Sequence, residues 1–507
     1  MKRNFFLLML LFLATTVLFA QQVEFRTISE ASEIKMPKGF KWTYFSNIQI
    51  VDTVDNYLIC LKKHPGYSTS EVFLLDKETL SVKTLELPKE YAKLTPTYLC
   101  KLKGNHFVKL YKGEKHNALA LFDEHMNFVK AMPMNKFGLI CQDDNYIYIH
   151  NTPVTYKTPE AYEGELVKLD RDMNVIVRKP LTVSWDKTTY RGEHSAVDTL
   201  GHIIFNNRGT YMLVDRETLD QTKLDVIPSL DFEERAFGTL IEYDQYLPDK
   251  IIHLMYKGYY LAIREVDYEG NVLLNKSMKF DQNKKSIFLD YKNDKVYILV
   301  AEEKNLSVQE IDMTSETVKI VSSFQLEENI GAVKNPFIFG KPSYPFKTYL
   351  FAASVWKYVN NCYNLITTTT ESEYYEDGTS LHDKYTSYLH LDENFNLLKM
   401  EEDKNYNRLR AANQLSYLPQ ENLDDYSIII YNKPIIEKKN KNAVFSEVNF
   451  IIWDKTGGRK EIPSGVRFFS GTEKVNDMPA FYKISPTRYY IFSRSEAFKL
   501  TEAIVKP

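Results

Sequence analysis

The sequence predicts an all-β chain assembled from one repeated unit of about four strands. Three observations carry this. Apolar and polar residues alternate in short runs where helical periodicity would need longer ones. Tyrosine and phenylalanine number 35 and 30, and aromatic residues suit a pleated, half-buried surface. A strand, an Asp-led turn and a second strand return along the chain at a near-constant step.

The first element is a leader. Lys2 and Arg3 precede an almost wholly apolar run from Phe5 to Phe19, with Ala20 before the polar Gln21. This is the pattern of a secretory signal peptide over residues 1–20, followed by one domain over 21–507. The run is shorter than a membrane span of about 20 residues. The first cysteine is Cys60, so none stands at the cut to carry a lipid anchor. A secreted or periplasmic chain with no membrane span is expected.

With 64 basic and 67 acidic residues the net charge is −3, and no basic block stands out, which argues against nucleic acid as a partner. The four cysteines, Cys60, Cys100, Cys141 and Cys362, follow no metal spacing. They allow one disulfide at most as a structural element, and apolar neighbours such as "NYLIC" suit buried thiols. The ten histidines include no H-x-x-x-H or H-E-x-x-H. Neither a metal nor any other cofactor is expected. Nucleophile elbows, phosphate loops and dinucleotide fingerprints are also missing.

"VFLLDKETLSVKTLELP" at 72–88 returns nearly intact as "YMLVDRETLDQTKLDVIP" at 211–228. The same form ends its first strand at Asp76, Asp123, Asp170, Asp215, Asp267, Asp312, Asp392 and Asp454, at steps of 47, 47, 45, 52, 45, 80 and 62 residues. A carboxylate there can accept the backbone N–H two residues on and reverse the chain. Asn or Gly later in the turn, as in "MN", "FN", "GN" and "GG", is expected to take the positive φ of a short hairpin loop. These aspartates are therefore read as turn anchors. Upstream of each lies a β run with its own turn, as in "DNYLICL" and "DKVYILV", and a further run before that.

Units of four strands and roughly 40–50 residues resemble the β-propeller superfamily, in which small sheets pack face to face around a channel. No recurring Trp-Asp pair or kelch Gly-Gly pattern specifies a family. At the C-terminus, 480–505 offers three inner strands without an outer one, while 23–37 offers an outer strand without inner ones. Pairing them would close the ring. Eight blades are expected, within a range of seven to nine.

Propeller topology places the A–B and C–D turns on one face and the B–C and D–A connections on the other. The long segments 152–164, 371–384, 436–446 (B–C) and 327–346 (D–A) should all leave from the second face. Long loops on a rigid scaffold commonly carry function. The candidate binding residues there are Tyr156, Tyr162, Glu163, Phe337, Tyr344, Tyr374, Tyr375, Asp377 and His382. Aromatics among carboxylates suit a glycan or peptide surface. The expected function is an exported, monomeric binding module for a protein or glycan partner. The alternative is a glycan-active hydrolase or lyase with two carboxyl groups at the channel mouth. A third reading, a structural envelope component, calls for an apolar patch on the blade rims.

Overall fold

The computed structural model describes residues 22–34, 48–63, 70–112, 116–152, 164–181, 195–197, 202–207, 210–225, 240–257, 260–279, 285–302, 305–326, 346–357, 362–375, 378–409, 418–422, 426–435, 445–454, 456–469 and 479–506. Among them, strands β1 (Gln22–Ala31) to β36 (Phe498–Lys506) form nine four-stranded antiparallel sheets. Blades 1 to 8 are each built from four consecutive strands. They span 48–84, 95–134, 136–180, 195–225, 240–279, 285–325, 346–409 and 418–469. Blade 9 takes three strands from 480–506 and its fourth from β1. The two chain ends pair antiparallel from Gln22↔Lys506 to Ala31↔Phe498, and Lys506 Nζ meets Glu24 Oε2 at 2.6 Å.

Closure is written in the cores. Each of nine buried clusters joins two sequential blades, and one of them brings Phe492 and Leu500 of blade 9 against Leu58 and Phe73 of blade 1. Strand alternation supplies both faces: Phe107 packs toward blade 3 while its neighbour Val108 packs toward blade 1. Burying a side chain of this kind is worth about 1.5–3 kcal/mol. A single sheet could cover neither face alone. The ring is thus a β-propeller of nine blades, one more than the eight expected and at the top of the range. Among the described residues the 80-residue step between Asp312 and Asp392 holds no further blade, and the long strands of blade 7 take up part of it.

The eight repeated aspartates anchor the C–D turns. Asp170 Oδ1 accepts the N–H of Asp172 at 2.9 Å and of Asn174 at 2.8 Å, while its Oδ2 accepts Asn174 Nδ2 at 2.9 Å. Asp123 and Asp392 repeat this pattern, and Asp76 and Asp215 use a threonine three residues on. The expectation about φ is corrected in part. Gly270 and Gly457 do take positive φ, but in the "MN" and "FN" turns Met126, Met173 and Phe395 take it (61°, 59° and 63°), as do Leu80 and Leu219. The asparagine after each methionine or phenylalanine spends its amide on the Asp instead. A bulky residue in the left-handed region is strained by about 1–2 kcal/mol. All five are buried between blades, where packing offsets that strain.

Candidate binding face

Topology places three of the four long segments between the strands expected. Residues 153–163 join β11 (Tyr146–Thr152) to β12 (Glu165–Asp170), and 436–444 join β31 (Tyr426–Ile435) to β32 (Phe445–Asp454), both as B–C connections. Residues 327–345 link the outer strand of blade 6 to the inner strand of blade 7. The fourth segment differs from expectation. Residues 371–384 are mostly ladder: β27 (Tyr363–Tyr375) and β28 (Gly378–Leu391) pair from Tyr363↔Leu391 up to Tyr375↔Gly378.

Blade 7 is the outlier of the ring. Its strands run 12–14 residues, against 8–9 in blade 6. Its B strand starts level with the C–D turn, as in other blades, so the surplus lies wholly at the B–C end. Five extra residues at roughly 3.4 Å each raise it about 17 Å above blade 6. All four strands take part, from Phe346↔Tyr374 on the inner side to Leu381↔Leu409 on the outer. The result is a sheet-built projection in place of a loop. Blade 8 shares the trend with strands of 10–11 residues in its outer three.

Of the candidate residues, Tyr374, Tyr375 and His382 lie on this projection, with Tyr374 opposite Thr379 and His382 opposite Glu371. Tyr156, Tyr162, Glu163, Phe337, Tyr344 and Asp377 lie outside the described residues.

A second polar constellation escaped the sequence reading, at the opposite end of the inner strands. In blades 1, 2, 3, 6, 8 and 9 the inner strand carries a register shift against its neighbour. In blades 1 and 6 the residue after the bulge is an aspartate. Asp52 Oδ1 accepts the N–H of Thr53 at 2.7 Å and Asp290 Oδ1 that of Tyr291 at 3.0 Å, taking up donors at the bulge. The carboxylates then reach the next blade: Tyr363 O–H donates to Asp290 at 2.5 Å, and Tyr98 O–H lies 3.3 Å from Asp52 Oδ2. Asp52 also accepts Tyr482 O–H from blade 9 at 2.9 Å and meets Lys101 Nζ at 3.2 Å. His106 Nδ1 lies 3.3 Å from the Tyr98 oxygen. Burial pulls His106 down to about 4, against the opposing pull of Asp52, so at neutral pH it is uncharged and its 3.8 Å approach to Asp52 is no ion pair. Burial and the Asp52 charge push the Tyr98 and Tyr482 phenols up, which makes neither a ready base. One carboxylate thus ties blades 9, 1 and 2 together, and its recurrence at Asp290 identifies a structural wedge.

Other groups are likewise spent on the ring. Between blades 7 and 8, a shallow crevice is lined by Tyr388, Trp453 and Arg459 among others. The Arg459 guanidinium stacks 3.8 Å over Tyr388 and bonds Glu401 at 2.9 Å, while Lys399 reaches Glu401 at 2.8 Å. All four cysteines are free thiols, and burial pushes Cys100 and Cys141 up to about 12. Among the described residues no group of three or more His, Cys, Asp or Glu could hold a metal, and no helix is long and apolar enough to cross a membrane. Among the described residues the exposed large apolar side chains, including Val129, Ile176, Leu273, Ile320 and Leu398, sit near the start of outer strands. They are spread one or two to a blade, as scattered surface hydrophobics commonly are.

No protein-family model matches the chain, and no curated protein matches it. Solved structures do. A structure from a study of two prolyl endopeptidases is 9% identical, aligned over 89% of this chain and 55% of its own, with a TM-score of 0.29. Prolyl oligopeptidase B from Galerina marginata is 8% identical over 89% of this chain and 56% of its own, TM-score 0.30. The Dos1 propeller is 9% identical over 91% and 94%, TM-score 0.33. The chain spans about half the length of the first two. At such distances the matches assign neither family nor activity; the propeller rests on the nine-sheet topology.

Proposed function

We propose that the protein is an exported, monomeric propeller that binds a protein or glycan partner through its B–C face, with the projection of blade 7 as the principal contact. Residues 1–20 would direct export to the periplasm or the exterior. The observation that carries the reading is the projection: a hydrogen-bonded four-stranded sheet about 17 Å above blade 6, on the face from which the long connections also leave. Among the described residues the opposite face is made of tight turns, and several of their carboxylates are taken up by hydrogen bonds within the turn.

The test is binding of purified 21–507 to a glycan array and to immobilised envelope proteins, with Tyr374→Ala, Tyr375→Ala and His382→Ala combined in one variant. Aromatic anchors at an interface often contribute about 2 kcal/mol each. At least tenfold weaker binding at an unchanged melting temperature is expected. Binding that survives in this variant, yet falls when the short-turn face is altered, would place the contact on the wrong end.

A further inference from the structure

The His106 ring is fully buried on the blade 1 side of blade 2, and only one of its nitrogens is engaged. Nδ1 faces the Tyr98 oxygen, while Nε2 has no hydrogen-bond partner. A carboxylate is the stronger acceptor, so Tyr98 donates to Asp52 and Nδ1–H donates to Tyr98. The proton that acid adds must then go to Nε2. There it becomes a buried N–H donor with no acceptor, a costly arrangement.

The charged groups around the ring do not remove that cost. Asp52 favours the imidazolium from blade 1 and Asp123 favours it from the end of its own blade's third strand, whereas Lys101, directly opposite on the adjacent strand, opposes it. Tyr98 and Tyr482 are neutral and already committed to Asp52. Burial outweighs the attractions.

We propose that the contact between blades 1 and 2 is an acid-sensitive seam, which parts locally when His106 becomes doubly protonated while the rest of the ring stays closed. Opening wets Nε2 and restores its hydrogen bond. It also releases the inner strand of blade 1 from Tyr98, next to the blade that both chain ends build.

The test is hydrogen exchange read by mass spectrometry on 21–507 at pH 7.5 and pH 4.5, corrected for intrinsic exchange rates. With the ring held near 4 when closed and at its ordinary value near 6.5 when open, peptides covering 48–61 and 98–110 lose protection by on the order of 100-fold at the lower pH. His106→Gln keeps a donor toward Tyr98 but cannot charge, so its seam stays protected at both values. Equal wild-type protection at both pH values overturns the proposal. So does an equal loss in His106→Gln, which would assign the opening to another group. Should the variant already be unprotected at pH 7.5, the wild-type titration decides alone: a midpoint between pH 4 and 6.5 supports the seam, and one below pH 4 contradicts it.

Discussion

Replacing Asp392 by alanine isolates the turn chemistry on which the repeat was recognised. Its Oδ1 accepts the N–H groups of Asn394 and Asn396, both at 2.8 Å, and its Oδ2 accepts Asn396 Nδ2 at 2.9 Å. Each bond is worth about 0.5–1.5 kcal/mol net. The turn is partly wet, so water recovers some of this, and Asp392→Ala should cost about 2 kcal/mol. Asp392→Asn keeps one acceptor oxygen and should cost about half as much. The readout is the urea midpoint at constant slope, with the exposed Glu269→Ala as a control expected within about 0.5 kcal/mol of wild type. An Asp392→Ala protein as stable as that control would refute the anchoring role. The same geometry sets a pH dependence. Burial works to raise Asp392, but the bonds from Asn396 and Asn394 outweigh it and hold the carboxyl below its ordinary value. Six of the other seven repeat aspartates are shifted the same way. A carboxyl lowered by folding stabilises above its unfolded value, near 3.8, and loses that contribution as pH falls through the folded one. Global acid unfolding should therefore begin below about pH 4, separate from the local event at His106 at higher pH.

Phe395 lies 4.6 Å from the Tyr363 ring and 4.7 Å from that of Tyr297, so Phe395→Ala should cost about 3–5 kcal/mol in the same melts. Tyr482→Phe removes one donor from the partly buried Asp52 carboxylate and should cost about 1–2 kcal/mol, whereas Tyr482→Leu also loses the ring and should cost more. Lys168 is 2% exposed, donates to the Arg216 carbonyl at 2.8 Å and lies 4.1 Å over the Tyr146 ring. Lys168→Met keeps the packing and strands that carbonyl, so a thermal melt should show a loss of about 1–3 kcal/mol.

Most of the architecture was legible because its signal is local. An Asp at the end of an apolar strand chooses its own turn, so each unit announces itself within five residues, as "DRDMN" does at 170–174. The strand supplied by the N-terminus was legible from what each end lacked. What depended on a second blade was not. Met173 takes positive φ against its local preference, and the compensation, burial against blade 2, comes from outside the turn. The Asp52 wedge left a faint trace, an Asp four residues before Asn56, echoed by Asp290 before Asp294. Its partners Tyr98 and Tyr482 sit 46 and 430 residues away. Residues 371–384 read as a loop because Leu381 is their one large aliphatic among Thr, Ser, Glu, Asp and Tyr; the ladder that pairs them comes from blade 7's other strands. The candidate face followed from connection lengths, while its chemistry resides in side chains that no local pattern arranges.

Closure of the ring by both chain ends can be tested with one pair of cysteines. Glu24 and Ile504 stand directly opposite each other across β1 and β36, and opposed strand positions lie about 4.5–5.5 Å apart, within disulfide reach. The double variant Glu24→Cys/Ile504→Cys, oxidised at low protein concentration, should form an intramolecular disulfide within minutes and migrate faster on a non-reducing gel. It should also melt at a higher temperature. A cross-link that fails to form, or forms only between molecules, would contradict a nine-bladed ring sealed by the first and last strands of the chain.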